Sequence, residues 1–353
     1  MQEIILSFIT AFSLTYFAIP PIIQIALEKN LCDQPDERRV HKVPTPSLGG
    51  IAMFGGILFS LVLWTPQIAF GDLQYIFCSF ILIFLIGAKD DISPVSATKK
   101  MGAQFIAAVI LVFKSDIHLT SLHGLFGSHG LLPEWISITI SIFTIIVIMN
   151  AFNLIDGING LAGSLVALIT GTLGCWFWLI GEMAYTVLAF STAGAVLSFL
   201  RYNFSPAKIF MGDTGSLILG MICAILIIRF IEFNDSASDT STYLFSSVPV
   251  VAIGIMIIPL FDTFRVFVTR AIRGHSPFKA DRRHIHHLLI DYGFGHTQAT
   301  GILMLTNMLF MMIVFSLDSL LDIHILLLLV ILLATSSTYF LHRSVVLKNQ
   351  TRS

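Results

Sequence analysis

The sequence predicts an all-α, polytopic integral membrane protein with about eleven transmembrane helices. Three observations carry that prediction. Of the 353 residues 56% are hydrophobic and the mean hydropathy is +0.87, more apolar surface than a soluble domain of this length can enclose. Apolar runs of about 17 to 25 residues, long enough to cross a bilayer, recur along the chain. Period-two alternation with turns about every ten residues is absent, which argues against an outer-membrane barrel.

The runs fall, in order, near 3–27, 48–66, 73–88, 101–115, 135–152, 161–180, 183–200, 214–232, 246–271, 298–317 and 323–341. The first has no basic leader and no small-residue cleavage site, so it reads as a retained helix and not as a signal peptide. The second opens on Gly49-Gly50. The third, short, ends at Asp90-Asp91, where Ser93 and Pro94 stop its continuation, and the fourth, also short, follows Lys99-Lys100. The fifth leads into the polar stretch 153–160, and the sixth begins beyond Gly160. The seventh ends at Arg201, the eighth opens on Asp213-Thr214 and the ninth ends at Arg270. The last two lead to a tail with Arg343, Lys348 and Arg352. No long linker, repeat or inverted duplication divides the chain, so residues 1–353 are expected to form a single membrane-embedded domain.

Lys and Arg set the orientation. If the spans alternate, Lys29, Arg38, Arg39 and Lys42 fall on one side with Lys89, Lys99, Lys100, Arg201, Lys208, the basic residues of 270–283 and the tail. The other side has little beyond Lys114 and Arg229 at helix edges. The positive-inside bias makes the basic loops cytoplasmic and puts the N-terminus outside. The net charge of −1 says nothing about partners, because the charges are segregated by side. Cys32, Cys78, Cys175 and Cys223 show no CxxC spacing, which argues against a disulfide framework or a zinc ribbon and suggests buried thiols acting as small hydrophobes.

Only 12% of the residues are charged, and ionisable groups at a lipid boundary are costly unless something there needs them. On this topology the stretches 33–50, 90–100, 150–160, 201–215 and 270–296 all reach the cytoplasmic face. Polar groups converging from several helices are read as one site.

Within it, the adjacent carboxylates Asp90 and Asp91 repel, so they need a cation beside them or a shared proton. A hard divalent ion would satisfy both, as would a solvated helix end paired with Lys89 or Lys99. Asn153, Asp156 and Asn159 stand at i, i+3, i+6, on one face if the helix continues, while Gly157 and Gly160 allow a break. A simple capping turn would explain one of the three. Asp213 or Thr214 reads as an N-cap, or as part of an anion site at a helix N-terminus where a carboxylate recruits a metal. Asp281-Arg282-Arg283-His284-Ile285-His286-His287 combines anion binders with imidazoles and suits a diphosphate better than zinc, although a basic loop on anionic lipid is the simpler alternative. Asp262 and Arg265, at i, i+3, read as an internal ion pair without a chemical role, and Arg270 lies within reach of a phosphate.

Taken in order, His41-Lys42 with Thr45-Pro46 and Gly49-Gly50, the Asp90-Asp91 pair, the stretches 153–160 and 210–216, and the His284-Ile-His-His287 loop resemble the polyprenyl-phosphate N-acetylhexosamine-1-phosphate transferases. The likeness covers nearly the whole chain, and its histidine motif looks most like the bacterial GlcNAc-1-phosphate branch. The resemblance implies transfer of GlcNAc-1-phosphate from UDP-GlcNAc to undecaprenyl phosphate with release of UMP, dependent on Mg²⁺ or Mn²⁺. Within the same class the donor could instead be UDP-GalNAc or a muramoyl-pentapeptide nucleotide. The implied setting is a bacterial inner membrane with its active site facing the cytoplasm, feeding enterobacterial common antigen or O-antigen lipopolysaccharide. The expected partners are both substrates, the lipid bilayer and a second copy as a homodimer, and nucleic acid is not among them.

The resemblance also implies roles. Asp213 is the metal ligand with Asn153 as a second, and Asp90 or Asp91 binds metal or takes a proton from the lipid phosphate. Asp156 shapes the catalytic centre, Lys42 and Lys100 bind phosphate or nucleotide, and Phe210 stacks on uracil. Arg270, Arg282, His284, His286 and His287 grip the diphosphate and sugar. Many relatives carry Asp where this chain has Asn159, which removes a general-base role there but leaves hydrogen bonding to uracil. A secondary transporter would also hold carboxylates near membrane helices, but its site should lie near mid-membrane and not at one surface.

Overall fold

A backbone in lipid satisfies its N–H and C=O groups within its own helix, and all but one of the apolar runs fold that way. The computed structural model describes residues 1–32, 45–66, 71, 73–128, 130–236, 243–272, 274 and 284–350; these form thirteen α-helices and no strand. Seven are long and apolar enough to cross a membrane, and a bent pair would make an eighth. Three further helices fill the expected runs at 48–66, 73–88 and 101–115. The fold class therefore stands, a polytopic helical membrane protein.

The chain forms two compact units. The first comprises α1 (Gln2–Glu28), α2 (Gly49–Trp64), α3 (Leu73–Ile92), α4 (Ala97–Lys114), α5 (Glu134–Ile155), α6 (Leu161–Ile180), α7 (Met183–Asn203) and α8 (Gly212–Ser236). Its centre is α8, which packs against α2, α3, α5, α6 and α7. In the apolar stretch of α8 83% of residues are buried, against 28% in α1, so α8 is enclosed by protein while α1 presents most of its surface outward.

Without a hydrophobic force between helices in lipid, close packing depends on small residues at the contacts. A Cβ on Gly87 of α3 would lie 2.6 Å from the Thr214 Cα, and one on Gly220 would lie 2.8 Å from the Met149 Cα of α5. Gly50 of α2 sits directly on the Gly215 backbone. These glycines bring α2, α3 and α5 onto α8. An extended segment adds a second fastening, since Phe210 N–H donates to Pro46 O at 2.8 Å and Gly49 and Gly50 N–H donate to Phe210 O and Met211 O at 2.9 Å.

At the far end of α8, Arg229 donates to Ser115 O at 2.6 Å and lies 5.6 Å and 5.5 Å from the Tyr185 and Phe233 ring centroids. Glu232 accepts from the Thr120 N–H at 2.9 Å and hydroxyl at 2.7 Å. The charges of Arg229 and Glu232 are thus met by protein groups within the apolar body. All four cysteines are free, but Cys78 and Cys175 are exposed, contrary to the expectation of buried thiols. Outward positions on membrane helices accept a thiol as readily as the core does, because lipid is also apolar.

The second unit holds α9 (Val248–Ile255), α10 (Ile257–Ile272), α11 (Ile285–Tyr292), α12 (His296–Leu317) and α13 (Ile323–Gln350). The run at 246–271, expected as one span, is two helices bent by 87°. Pro259 is the cause. It has no N–H to offer the Ile255 carbonyl four residues back, and its ring crowds that carbonyl. Asn307 of α12, fully buried, repairs the break: its Nδ2 donates to Ile255 O at 3.0 Å and its Oδ1 accepts from Ile258 N–H at 3.3 Å. Asp318 accepts from the Ser246 and Ser247 N–H groups at 2.7 Å and so holds the entry to α9.

Gly87→Ala should lower thermal stability in detergent by about 1 to 3 kcal/mol through overpacking against backbone that cannot yield. Gly55→Ala, where a Cβ meets nothing within 4 Å, should be neutral, and equal melting curves for the two variants would contradict this packing.

Candidate active site

Asp90 and Asp91 occupy the last turn of α3 and point in different directions, which relieves the repulsion expected of adjacent carboxylates. Asp90 Oδ1 accepts from the Val95 N–H at 2.6 Å and Oδ2 from Lys100 Nζ at 3.0 Å. The expected cation partner is therefore Lys100 of α4 and not Lys89 or Lys99. Asp91 turns to α8: its Oδ1 accepts from the Asp213 N–H at 2.6 Å, and its Oδ2 from the Thr214 N–H at 3.0 Å and hydroxyl at 2.5 Å.

Asp91 thus caps α8 from another helix, taking N–H groups that have no partner within α8. Gly212 makes this possible. Its φ of +72° is one that side-chain-bearing residues rarely adopt, and a Cβ there would lie 2.6 Å and 2.7 Å from the two Asp91 oxygens. With the cap supplied from outside, the Asp213 carboxylate is left to face other partners. Lys100 Nζ reaches its Oδ2 at 2.6 Å, and Asn153 Nδ2 donates to its Oδ1 at 3.1 Å and to Ser216 Oγ at 2.9 Å. Lys100 accordingly bridges Asp90 and Asp213.

The stretch 153–160 departs from the expectation of one continuous helical face. The α5 helix ends at Ile155, Asp156 is its C-cap, and Gly160, at φ +80°, starts α6. Only Asn153 points at Asp213 from a helix. Asn159 is buried and donates from Nδ2 to Ser205 Oγ at 3.0 Å. Asn203 ties the turn to the chain after α7, accepting from Gly160 N–H at 2.7 Å and donating to Ile209 O at 2.8 Å. Two glycines broke the i, i+3, i+6 register, and tertiary hydrogen bonds replaced it. Burial, together with the negative charges of Asp213 and Asp91, holds the Asp156 carboxyl well above the usual carboxylate range.

The cluster suits a hard cation in kind. Among the described residues no three His, Cys, Asp or Glu side chains converge as a metal cage. Mg²⁺, however, is commonly held by one or two carboxylates while substrate phosphates fill its other positions. Asp213 supplies a carboxylate. Asn153, whose amide nitrogen faces Asp213 and Ser216, would offer its amide oxygen to a shared ion on turning its amide over.

The other candidates fall as follows. Phe210 is half-buried, its backbone fixed by Pro46 and Gly49. Lys42 and Arg282 lie outside the described residues. In the second unit, Arg270 is buried in the last turn of α10. His284 is the N-cap residue of α11, and its ring stacks on that of His286 with centroids 5.7 Å apart and 7° between planes. The His286 and His287 centroids are 4.2 Å apart. Burial, with the neighbouring His287 next in effect, pushes the His286 imidazole down to about 3, so it is neutral at physiological pH and offers no positive charge to a phosphate.

Asp262 does more than pair with Arg265. Its Oδ2 meets His284 Nδ1 at 3.0 Å, while its Oδ1 takes Arg265 Nη2 at 2.9 Å and the Ile285 N–H at 3.0 Å. Asp262, Asn203 and Ser216 were not among the expected site residues. Nothing in their sequence spacing links them to their partners, which lie 22, 43 and 63 residues away.

The family model of glycosyl transferase family 4 matches residues 73–231, which include Asp90, Asp91, Lys100, Asn153, Asp156, Asn159, Phe210 and Asp213. The chain is 32% identical over 280 residues to a protein of Salmonella typhi described as undecaprenyl-phosphate alpha-N-acetylglucosaminyl 1-phosphate transferase, covering 78% of this chain and 73% of that one. A Yersinia pestis protein of the same description is 29% identical over 312 residues, 87% of this chain and 82% of the relative. A Bacillus subtilis (strain 168) protein, described as a probable undecaprenyl-phosphate N-acetylglucosaminyl 1-phosphate transferase, is 32% identical over 317 residues, 88% and 84% of the two chains.

Because the folded pKa of Asp156 is raised, the unfolded chain loses this proton first as pH rises, and stability falls from the ordinary carboxylate range upward. Asp156→Asn removes that loss. In EDTA-treated protein the melting temperature of Asp156→Asn minus that of wild type should be close to zero near about pH 4 and clearly positive near about pH 8. A pH-independent difference would contradict the assignment.

Proposed function

The chain belongs to glycosyl transferase family 4, and we propose that it transfers GlcNAc-1-phosphate from UDP-GlcNAc to undecaprenyl phosphate at the cytoplasmic face of a bacterial inner membrane. The observation that carries this reading is the cluster of Asp90, Lys100, Asn153 and Asp213 at the N-terminus of α8. It stands at the ends of membrane helices, where a lipid acceptor and a water-soluble nucleotide can meet.

In the proposed reaction an oxygen of the lipid phosphate bonds to the donor's β-phosphorus. The bond from that phosphorus to the bridging oxygen of the α-phosphate breaks, and UMP leaves. Such transfers depend mainly on positioning and charge neutralisation. Lys100 supplies fixed positive charge for the diphosphate. Mg²⁺ or Mn²⁺, held by Asp213 and Asn153, would neutralise developing charge on the phosphates. No Ser or Cys nucleophile is needed.

The two aspartates at the end of α3 separate by role. Both Asp91 oxygens are occupied by α8, so Asp90, held by Lys100 and the Val95 N–H, is the carboxylate placed to take a proton from the lipid phosphate. Asp156, whose acid form is favoured by burial and by the charges of Asp213 and Asp91, serves as a hydrogen-bond donor to phosphate or sugar. Asn159, without a carboxylate and bonded to Ser205, orders the turn before α6. Phe210 stacks on uracil, Lys42 and Arg282 bind phosphate, and Arg270 with His284, His286 and His287 contacts the diphosphate and sugar, as the family resemblance implies. The lipid-linked product would begin a surface polysaccharide such as enterobacterial common antigen or O-antigen.

Purified protein in detergent should release UMP from UDP-GlcNAc only when undecaprenyl phosphate and Mg²⁺ are both present, and EDTA should abolish release. UDP-GalNAc should be used at least about tenfold less well, the scale of one lost polar contact. Equal release from both sugars would overturn the donor assignment, and release independent of lipid would overturn the reaction.

A further inference from the structure

An eight-residue helix is marginal by itself and takes its position from what it is tied to. The helix in question is α11, which carries His286 and His287 and has His284 at its N-cap position. Asp262 of α10 ties it down. One carboxylate accepts from the Ile285 N–H at 3.0 Å and meets His284 Nδ1 at 3.0 Å, so the backbone and the ring are held by the same group. The ring cannot rotate about its side-chain bonds without breaking that contact, and the parallel His286 ring backs it.

Arg265 Nη2, at 2.9 Å, balances the charge that this buried carboxylate carries. An ion pair with Arg265 alone would need one oxygen. It gives no account of the second, which is directed at the imidazole. Asp262 is 2% exposed and His284 5%, so both contacts are made away from water, where a hydrogen bond holds geometry most firmly.

A carboxylate only accepts, so the nitrogen facing it must carry the hydrogen. We propose that Asp262 is a positioning residue for the transferase: it fixes His284 in the Nδ1–H tautomer and in one orientation, so that Nε2 is presented as an acceptor to a hydroxyl of the donor's sugar. This rests on the reading of the chain as the transferase described above and of His284 as a donor contact. Asp262 itself touches no substrate.

The test is a double-mutant cycle on the full-length protein in nanodiscs, with Asp262→Asn, His284→Ala and the pair together. Asn caps helices about as well as Asp, so the first variant retains the hold on Ile285 while its amide can donate to Nδ1 and favour the other tautomer. Asp262→Asn should lower kcat/KM at least about tenfold in the wild-type background, mostly through kcat, and less than about twofold in the His284→Ala background. Nitrogen-15 histidine spectra should show His284 as Nδ1–H in wild type and as Nε2–H in Asp262→Asn.

Equal losses in both backgrounds would make Asp262 merely structural and overturn the proposal, as would an Nε2–H tautomer in the wild type. Should Asp262→Asn not fold, Asp262→Glu takes its place in the cycle, with the same coupled loss expected and the same additive loss overturning it. A wild type that releases no UMP, or a His284→Ala protein as active as wild type, would instead defeat the underlying functional reading. In that event the tautomer measurement still decides whether Asp262 sets the ring.

Discussion

The Asp91 carboxylate, laid across the first N–H groups of α8, is the contact on which the candidate site depends. The N-terminus of a buried helix leaves donors without partners, and at the edge of a membrane protein water reaches them only in part. Asp91 accepts three hydrogen bonds there, two from backbone and one from the Thr214 hydroxyl. Because the cap comes from α3, the start of α8 is fixed relative to α3, and the Asp213 side chain is not used up as a cap. It is free to pair with Lys100 and Asn153, and through Lys100 with Asp90. The glycines at 50, 87 and 212 serve the same end by letting these backbones approach.

The same solution recurs in the second unit, where single polar side chains satisfy backbone groups that a regular helix would have satisfied itself. Asn307 holds both sides of the break that Pro259 makes between α9 and α10. Asp318 receives the N–H groups entering α9, and Asp262 receives the one entering α11. Each is a buried polar group whose cost is offset by complete hydrogen bonding. Irregular backbone is tolerated within a membrane protein where protein groups re-satisfy it, and such places are where binding sites can be built.

Much of this was legible in the sequence. Apolar run length located every long helix, because length and composition are what the bilayer selects. The acidic and amide residues of the site stood out because charge is scarce in this chain. The spacing of 153–160 misled, since periodicity assumes that the helix continues, and Gly157 and Gly160 end it after Ile155. The bend at Pro259 had a local cause in the sequence, but the partner that makes it tolerable, Asn307, lies 48 residues further on and carries no signal of its own. The same holds for Asp262, which pairs with Arg265 at i, i+3 as spacing suggests and with His284 for reasons that only the fold reveals. The division of labour between Asp90 and Asp91 likewise depends on which oxygen faces α8.

The account stands most directly on the charge of Asp213. Asp213→Asn keeps the size and the N–H that Asp91 accepts, and it removes the negative charge together with one of the two acceptor oxygens that meet Lys100 and Asn153. It should still unfold in one cooperative transition, while metal-dependent UMP release from UDP-GlcNAc should fall by at least about a hundredfold, the scale of losing one charge-stabilising group in a reaction centre. A folded Asp213→Asn protein with wild-type release and unchanged metal dependence would contradict the placement of the reaction at the head of α8.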